Sequence, residues 1–322
     1  MLQDYLECLP TAGEWSCLKG VLQESTGSLS QLTRKAAAAG PVREARVFVP
    51  KPQLFPGTKS RSYDKHKREF KRTVWPDVST RALAHIEAHF STLPRGDLRT
   101  PHLPHAHYDE EIIIVTSGMA RFTFSTDHAI TSLTPVVANI DYVRVPALPS
   151  GNYSRLDAAR GAIAVHPPQN NHTISAIGSN ATEYFCLRYS ARPVLAMLEG
   201  KPLPLSPGQH SRSQLVSPSE RTLRPSGKDR VREVLLETPT VGLKRLHIHS
   251  TVTPPGHGYD LHADNYDVVL LVLAGELRLQ TPNRSTALGV NSVALLPAQS
   301  PHGVRNVGQG LSVHYAIELH AK

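Results

Sequence analysis

Residues Thr100–Gly118 read TPHLPHAHYDEEIIIVTSG, and residues His257–Gly275 read HGYDLHADNYDVVLLVLAG. Both have a polar, histidine-bearing lead, an unbroken apolar run and a closing glycine. His105 aligns with His262 and Gly118 with Gly275, each pair 157 positions apart. An internal repeat of this kind predicts two copies of one supersecondary unit. Further short apolar runs, Ala82–Phe90, Ala120–Phe124 and Ala181–Tyr189, are mostly bounded by Gly, Pro, Asn or Ser. That is the pattern of antiparallel strands closing into a barrel or sandwich.

Working outward, each copy ends on a further histidine, His172 in the first and His302 in the second. Gly118 to His172 is 54 positions and Gly275 to His302 is 27, so the first copy carries 27 extra residues between its motifs. Loops of that size in a compact domain are usually functional or disordered, and Ser125–Arg160 is read as a segment folding over a site. On a strand, residues i and i+2 share a face, so His105 and His107 point the same way and Glu111 keeps their parity. A bulge would exchange Glu111 for Glu110. His172 is the natural fourth ligand. Among seventeen histidines a lone one is usually filler, but these stand together with a carboxylate in a frame of Gly and Pro.

This constellation resembles the cupin superfamily. That family's first motif places His-x-His, then Glu, then Gly as His105, His107, Glu111 and Gly118 stand here; its second places Gly, Pro and His as Gly161, Pro167 and His172 do. Arg99, Gln169 and Ala176 depart from the motif at turn positions. The second copy keeps Gly256, Gly275, Pro297, His302 and Asn306 at family spacing but has Asp264 and Val268 at two ligand positions. His262, Asp264 and His302 remain as a degenerate second set. The resemblance implies an all-β bicupin, two double-stranded β-helix barrels, the first holding a divalent metal on His105, His107, Glu111 and His172.

The chain has 322 residues and a net charge of +8. Twelve Lys and Arg against three acids between Gln31 and Trp75 account for the whole excess, so the remainder is close to neutral. The reading divides the chain into a basic, partly helical N-terminal extension (1–75, with a helix over Ser28–Ala39), a metal-binding barrel (76–190), a Pro/Ser-rich linker (191–232) and a degenerate barrel (233–322). The basic arm is read as solvated surface, and nucleic acid is not an expected partner. Three cysteines form no paired framework, and neither a signal sequence nor a membrane span is visible, so a cytoplasmic protein is expected. A homodimer is the expected assembly.

Three imidazoles and one carboxylate leave two adjacent positions free on an octahedral ion. The first functional expectation is therefore an iron(II) oxygenase acting on a small anionic chelating substrate and dioxygen, with Glu111 also able to act as base. The alternative is a manganese, zinc or nickel lyase, decarboxylase or isomerase in which Glu110 or Tyr108 moves the proton. A third is a metal-dependent ligand sensor whose basic N-terminal region contacts nucleic acid. Arg121, Gln169, Asn171, Arg188 and Tyr189 are the expected substrate-binding residues.

Overall fold

The computed structural model describes residues 46–48, 63–64, 69–94, 105–106, 109–126, 132–133, 143–144, 152–168, 170–191, 203–204, 213–216, 222–225 and 230–321. The described residues form an all-β structure of two barrels, as the repeat predicts, with strands and no helix among them. The expected helix over Ser28–Ala39 lies outside the described residues.

In the first barrel a seven-stranded sheet runs Gln214–Val216, Ile163–His166, Glu110–Ser117, Thr182–Ala191, Leu83–Leu93, Glu69–Val78, Tyr63–Asp64. The second sheet of that barrel runs Tyr153–Ala159, Met119–Ser125, His172–Ala176, His105–Ala106, Val143–Arg144. The second barrel repeats the plan. Its seven strands run Arg46–Phe48, Val293–Leu296, Asp267–Ala274, Ser312–Ala321, Leu243–Thr253, Val231–Thr238, Thr222–Pro225, and four more close it. Glu110–Ser117 and Asp267–Ala274 are equivalent strands, still offset by 157.

The apolar runs are continuous rather than alternating because the central strands are buried on both faces. Ile113, Val115, Phe122, Phe124 and Ala164 fill the first barrel, and Val268, Leu270, Val272 and Ala294 fill the second. The intervening residues, Ile112, Ile114, Phe185 and Leu187 with Val269, Leu271, Tyr315 and Ile317, form one apolar layer between the two large sheets.

The seam is pinned by two related polar devices. Thr80 and Thr240 each begin the turn into a long strand, accepting the amides of Leu83 and Leu243 at 3.0 and 3.1 Å. Each then donates across the seam, Thr80 to Asp267 at 2.5 Å and Thr240 to Glu110 at 2.6 Å. Glu110 also accepts from Tyr189 and from the Gly242 amide. Tyr315 donates to the Gly161 carbonyl, and Arg160 to that of Leu273.

Two short strands cross between halves. Arg46–Phe48, from the stretch read as an N-terminal extension, pairs with Val293–Leu296 of the second barrel. Gln214–Val216, from the stretch read as linker, pairs with Ile163–Val165 of the first. The boundary drawn after residue 75 falls inside the strand Glu69–Val78. The 27 extra residues open the hairpin between Met119–Ser125 and Tyr153–Ala159, and from within them Val143–Arg144 pairs beside His105–Ala106.

Candidate metal centre

Strand parity decides between the two neighbouring glutamates. Ile112 and Ile114 face the seam, so Glu110 does too; Ile113 and Val115 face the interior of the first barrel, and Glu111 with them. Both are buried, in unrelated surroundings. Glu110 is occupied by Tyr189, Thr240 and Gly242, which corrects its expected part in proton transfer: it holds the halves together.

Glu111 meets two histidines. His166 is its register partner on the adjacent strand, and His172 reaches in from the facing sheet. The imidazoles stack with centroids 4.1 Å apart and planes 2° from parallel. One ligand atom from each of the three residues lies within 4.8 Å of the others. His172 Nδ1 faces the Asn170 carbonyl at 2.9 Å, and its Nε2 lies 2.6 Å from Glu111 Oε2. His166 Nδ1 lies 2.7 Å from Ser213 Oγ, which itself donates to Asn170 Oδ1 at 2.8 Å. With its proton committed to Asn170 Oδ1, Ser213 accepts from His166, so both imidazoles carry a proton on Nδ1. This is the outer hydrogen bonding that aims Nε2 of a metal-binding histidine. The Cys186 thiol donates to Glu111 Oε1 at 3.0 Å.

The donor set fits a divalent cation. Two nitrogens and a carboxylate oxygen converge in a barrel interior where each residue is at most 4 % exposed. An ion there would match the lone pairs of carboxylate and imidazole without thiolate ligands.

His105 joins this sheet with its backbone opposite His172. His107, Tyr108 and Gln169 lie outside the described residues. Asn171 is half-buried, and its carbonyl accepts the Ser125 amide at 2.9 Å. Arg121 faces outward from the barrel in a bidentate pair with Asp157 at 2.6 and 2.8 Å, away from the interior it was expected to serve. Tyr189 faces the seam, where burial and then the Glu110 charge push its hydroxyl pKa up. Arg188 does face the interior, in register with Glu111, but lies 3.1 Å from Glu87 and 2.8 Å from Asp109. Burial favours the neutral acids, yet His89 and Arg188 hold Glu87 low, and Arg188 and Ser190 hold Asp109 low. Arg188 is already neutralised. His166, Ser213 and Cys186 were not singled out by the sequence.

The second barrel keeps a smaller group. Asp264 Oδ2 lies 3.6 Å from His262 Nε2 and 3.5 Å from His302 Nε2. Again Nδ1 of each imidazole faces a carbonyl two residues back, Asp260 at 3.2 Å and Ser300 at 2.9 Å. The hydrogen bond with Asp264 raises the His262 pKa, whereas burial lowers that of His302. Burial would raise Asp264, but His262 and His302 hold it below the usual carboxylate value.

No protein-family model matches the chain, and no curated protein matches its sequence. Solved structures do. The Lactobacillus farciminis oxalate decarboxylase formate complex superposes with a TM-score of 0.57 at 11% identity, over 89% of this chain and 89% of that one. A mutant of Bacillus subtilis oxalate decarboxylase superposes with a TM-score of 0.56 at 12% identity, over 94% of this chain and 87% of that one. Likeness at such identity is one of fold, and the fold is that of two cupin barrels.

Proposed function

We propose that this chain is a metal-dependent enzyme acting on a small carboxylate substrate that chelates the ion in the first barrel, and that its reaction is of the lyase type, a decarboxylation. The ligands proposed are His105, His107, Glu111 and His172, with His166 beside them. The observation that carries the reading is the convergence of Glu111, His166 and His172 as buried side chains, with both imidazoles oriented from behind. The solved bicupins of like fold act, by their names, on oxalate, and one holds formate; an anion of that size suits a site walled by side chains of the central strands.

When bound, the ion would supply Lewis acidity toward a substrate carboxylate. Since Arg188 is neutralised by Glu87 and Asp109, and His166 and His172 have their Nδ1 protons committed to Ser213 and the Asn170 carbonyl, anion recognition falls on the ion. Loss of carbon dioxide leaves an electron pair on carbon that must take a proton. Glu111, bonded to the Cys186 thiol on one oxygen, and Tyr108 are the groups proposed to manage that proton.

An iron(II) oxygenase is the second reading. It is favoured by the two-histidine, one-carboxylate groups in both barrels, the donor set of non-haem iron oxygenases. Manganese or iron is the expected ion on either reading, with zinc or nickel the alternatives.

The test is turnover of oxalate and related small carboxylates by protein loaded separately with manganese or iron, following carbon dioxide and dioxygen together. Carbon dioxide released without net dioxygen uptake supports the lyase; dioxygen consumed in proportion to product supports the oxygenase. Metal-free protein that takes up neither ion, with Glu111→Ala and His172→Ala indistinguishable from wild type, would overturn both.

A further inference from the structure

The second barrel contains another cluster, apart from the group of His262, Asp264 and His302. Leu246 and Ile248 face the seam, so His247 and His249 of the same strand face the interior. Glu318, on the neighbouring strand, is the register partner of His247. All three are buried, and one ligand atom from each lies within 4.8 Å of the others.

The focus of these three groups is occupied by a side chain of the same molecule. Arg232 Nη2 lies 3.2 Å from His247 Nε2, 2.7 Å from His249 Nδ1 and 2.8 Å from Glu318 Oε1. A guanidinium only donates, so both imidazole nitrogens must be accepting lone pairs. The proton of His247 is then on Nδ1, where Glu237 accepts it at 2.9 Å. The remaining oxygen of Glu318 accepts from His320 at 3.0 Å. Two neutral imidazoles and a carboxylate aimed at one point, His247 and Glu318 supported from behind by Glu237 and His320, form a donor set for zinc, cobalt or iron. Here they are aimed at a nitrogen carrying positive charge. The Arg232 side chain is 35% exposed, so it enters the cluster from the solvent side.

We propose that His247, His249 and Glu318 form a cryptic divalent-metal site in the second barrel, kept closed by the guanidinium of Arg232 acting as a tethered cation. The arginine supplies positive charge at the point where an ion would sit, and so confines metal to the other groups. The inference is independent of the ion and reaction proposed for the first barrel. A plain ion pair with two incidental histidines would account for the Arg232–Glu318 contact alone. It would not require the histidines to accept metal once the arginine is gone.

The test is a cobalt(II) titration of chelator-treated full-length wild type, Arg232→Met, Arg232→Lys and the double variant Arg232→Met with His249→Phe, reading bound cobalt and its visible absorption. Arg232→Met is expected to bind about one ion more per chain than wild type, as one three-ligand site requires, with a new absorption band. The extra ion and its band should vanish in the double variant and be absent from Arg232→Lys, which keeps a cation in place. Ions held elsewhere cancel in these differences. A folded Arg232→Met protein, by circular dichroism, that binds no more cobalt than wild type would overturn the proposal. So would a wild-type protein that itself loses a bound ion on His249→Phe. If Arg232→Met does not fold, Arg232→Gln replaces it under the same two criteria.

Discussion

Two adjacent glutamates do opposite work because a strand turns successive side chains to opposite faces. Glu110 is a buried carboxylate saturated by donors from both halves, so Glu110→Ala strands those donors and should cost about 2–4 kcal/mol in urea unfolding while leaving the metal content unchanged. Glu111→Ala should do the reverse, losing the ion of the first barrel with a smaller loss of stability; equal metal loss in both variants would contradict the division. The sequence left this choice open for a physical reason. Ile112 to Val115 are apolar on both faces, one lining the barrel and the other the seam, so alternation could not say which face was inside. His166 escaped notice for the same reason, sitting at the end of the two-sided run Ala162–Val165, whereas the histidine, glycine and proline spacing around His105, Gly118 and His172 was legible because few side chains suit those positions.

At the level of elements, the equivalent strands Glu110–Ser117 and Asp267–Ala274 both end on glycines with φ of +76° and +73°. A Cβ at Gly275 would stand 2.5 Å from the Leu311 carbonyl, and one at Gly118 2.6 Å from that of Ala181. Gly275→Ala should therefore lower stability by about 2–4 kcal/mol. Gly289→Ala, which meets nothing within 4 Å, should change it by less than about 0.5 kcal/mol; comparable shifts in melting temperature for the two would refute this account. Asn306 of the second barrel pins its loop by donating to the Thr253 and Gly310 carbonyls and accepting the Gly308 amide, a clamp that Ala176 cannot make in the first. The long strands and their turns were readable because each is an apolar run bounded by Gly, Pro, Asn or Ser. The pairings of Arg46–Phe48 and Gln214–Val216 were not, since three residues hold no period and their partners lie far along the chain.

Across the whole molecule, the apolar layer shared by the two large sheets should make the halves unfold together, giving one calorimetric transition rather than two. Its midpoint should also depend on acid well above the carboxylate range. Burial, with Arg232 and other charges nearby, pushes His249 down to about 2 and His314 down to about 4. Their folded pKa values lie below the unfolded value near 6.5, so between those limits the unfolded chain binds more protons and stability rises with pH, levelling off above about 6.5. Going from pH 7 to pH 5 should remove about 3 kcal/mol, or about 5 °C of melting temperature. His262, raised by Asp264, opposes this only weakly, being half exposed. A midpoint unchanged between those pH values would show that the buried imidazoles do not report on folding. The two crossing strands carry a last consequence. Arg46–Phe48 covers the edge of the barrel that follows later in the chain, and Gln214–Val216 covers the edge of the one already passed. Each half lends its leading strand to the other, the topology of a strand-swapped pair fused head to tail. A single cut between Ala191 and Ser213 would yield two fragments, each with an open apolar edge on Ile163–His166 or Val293–Leu296, able to close it only by trading strands with its counterpart or with another copy of itself.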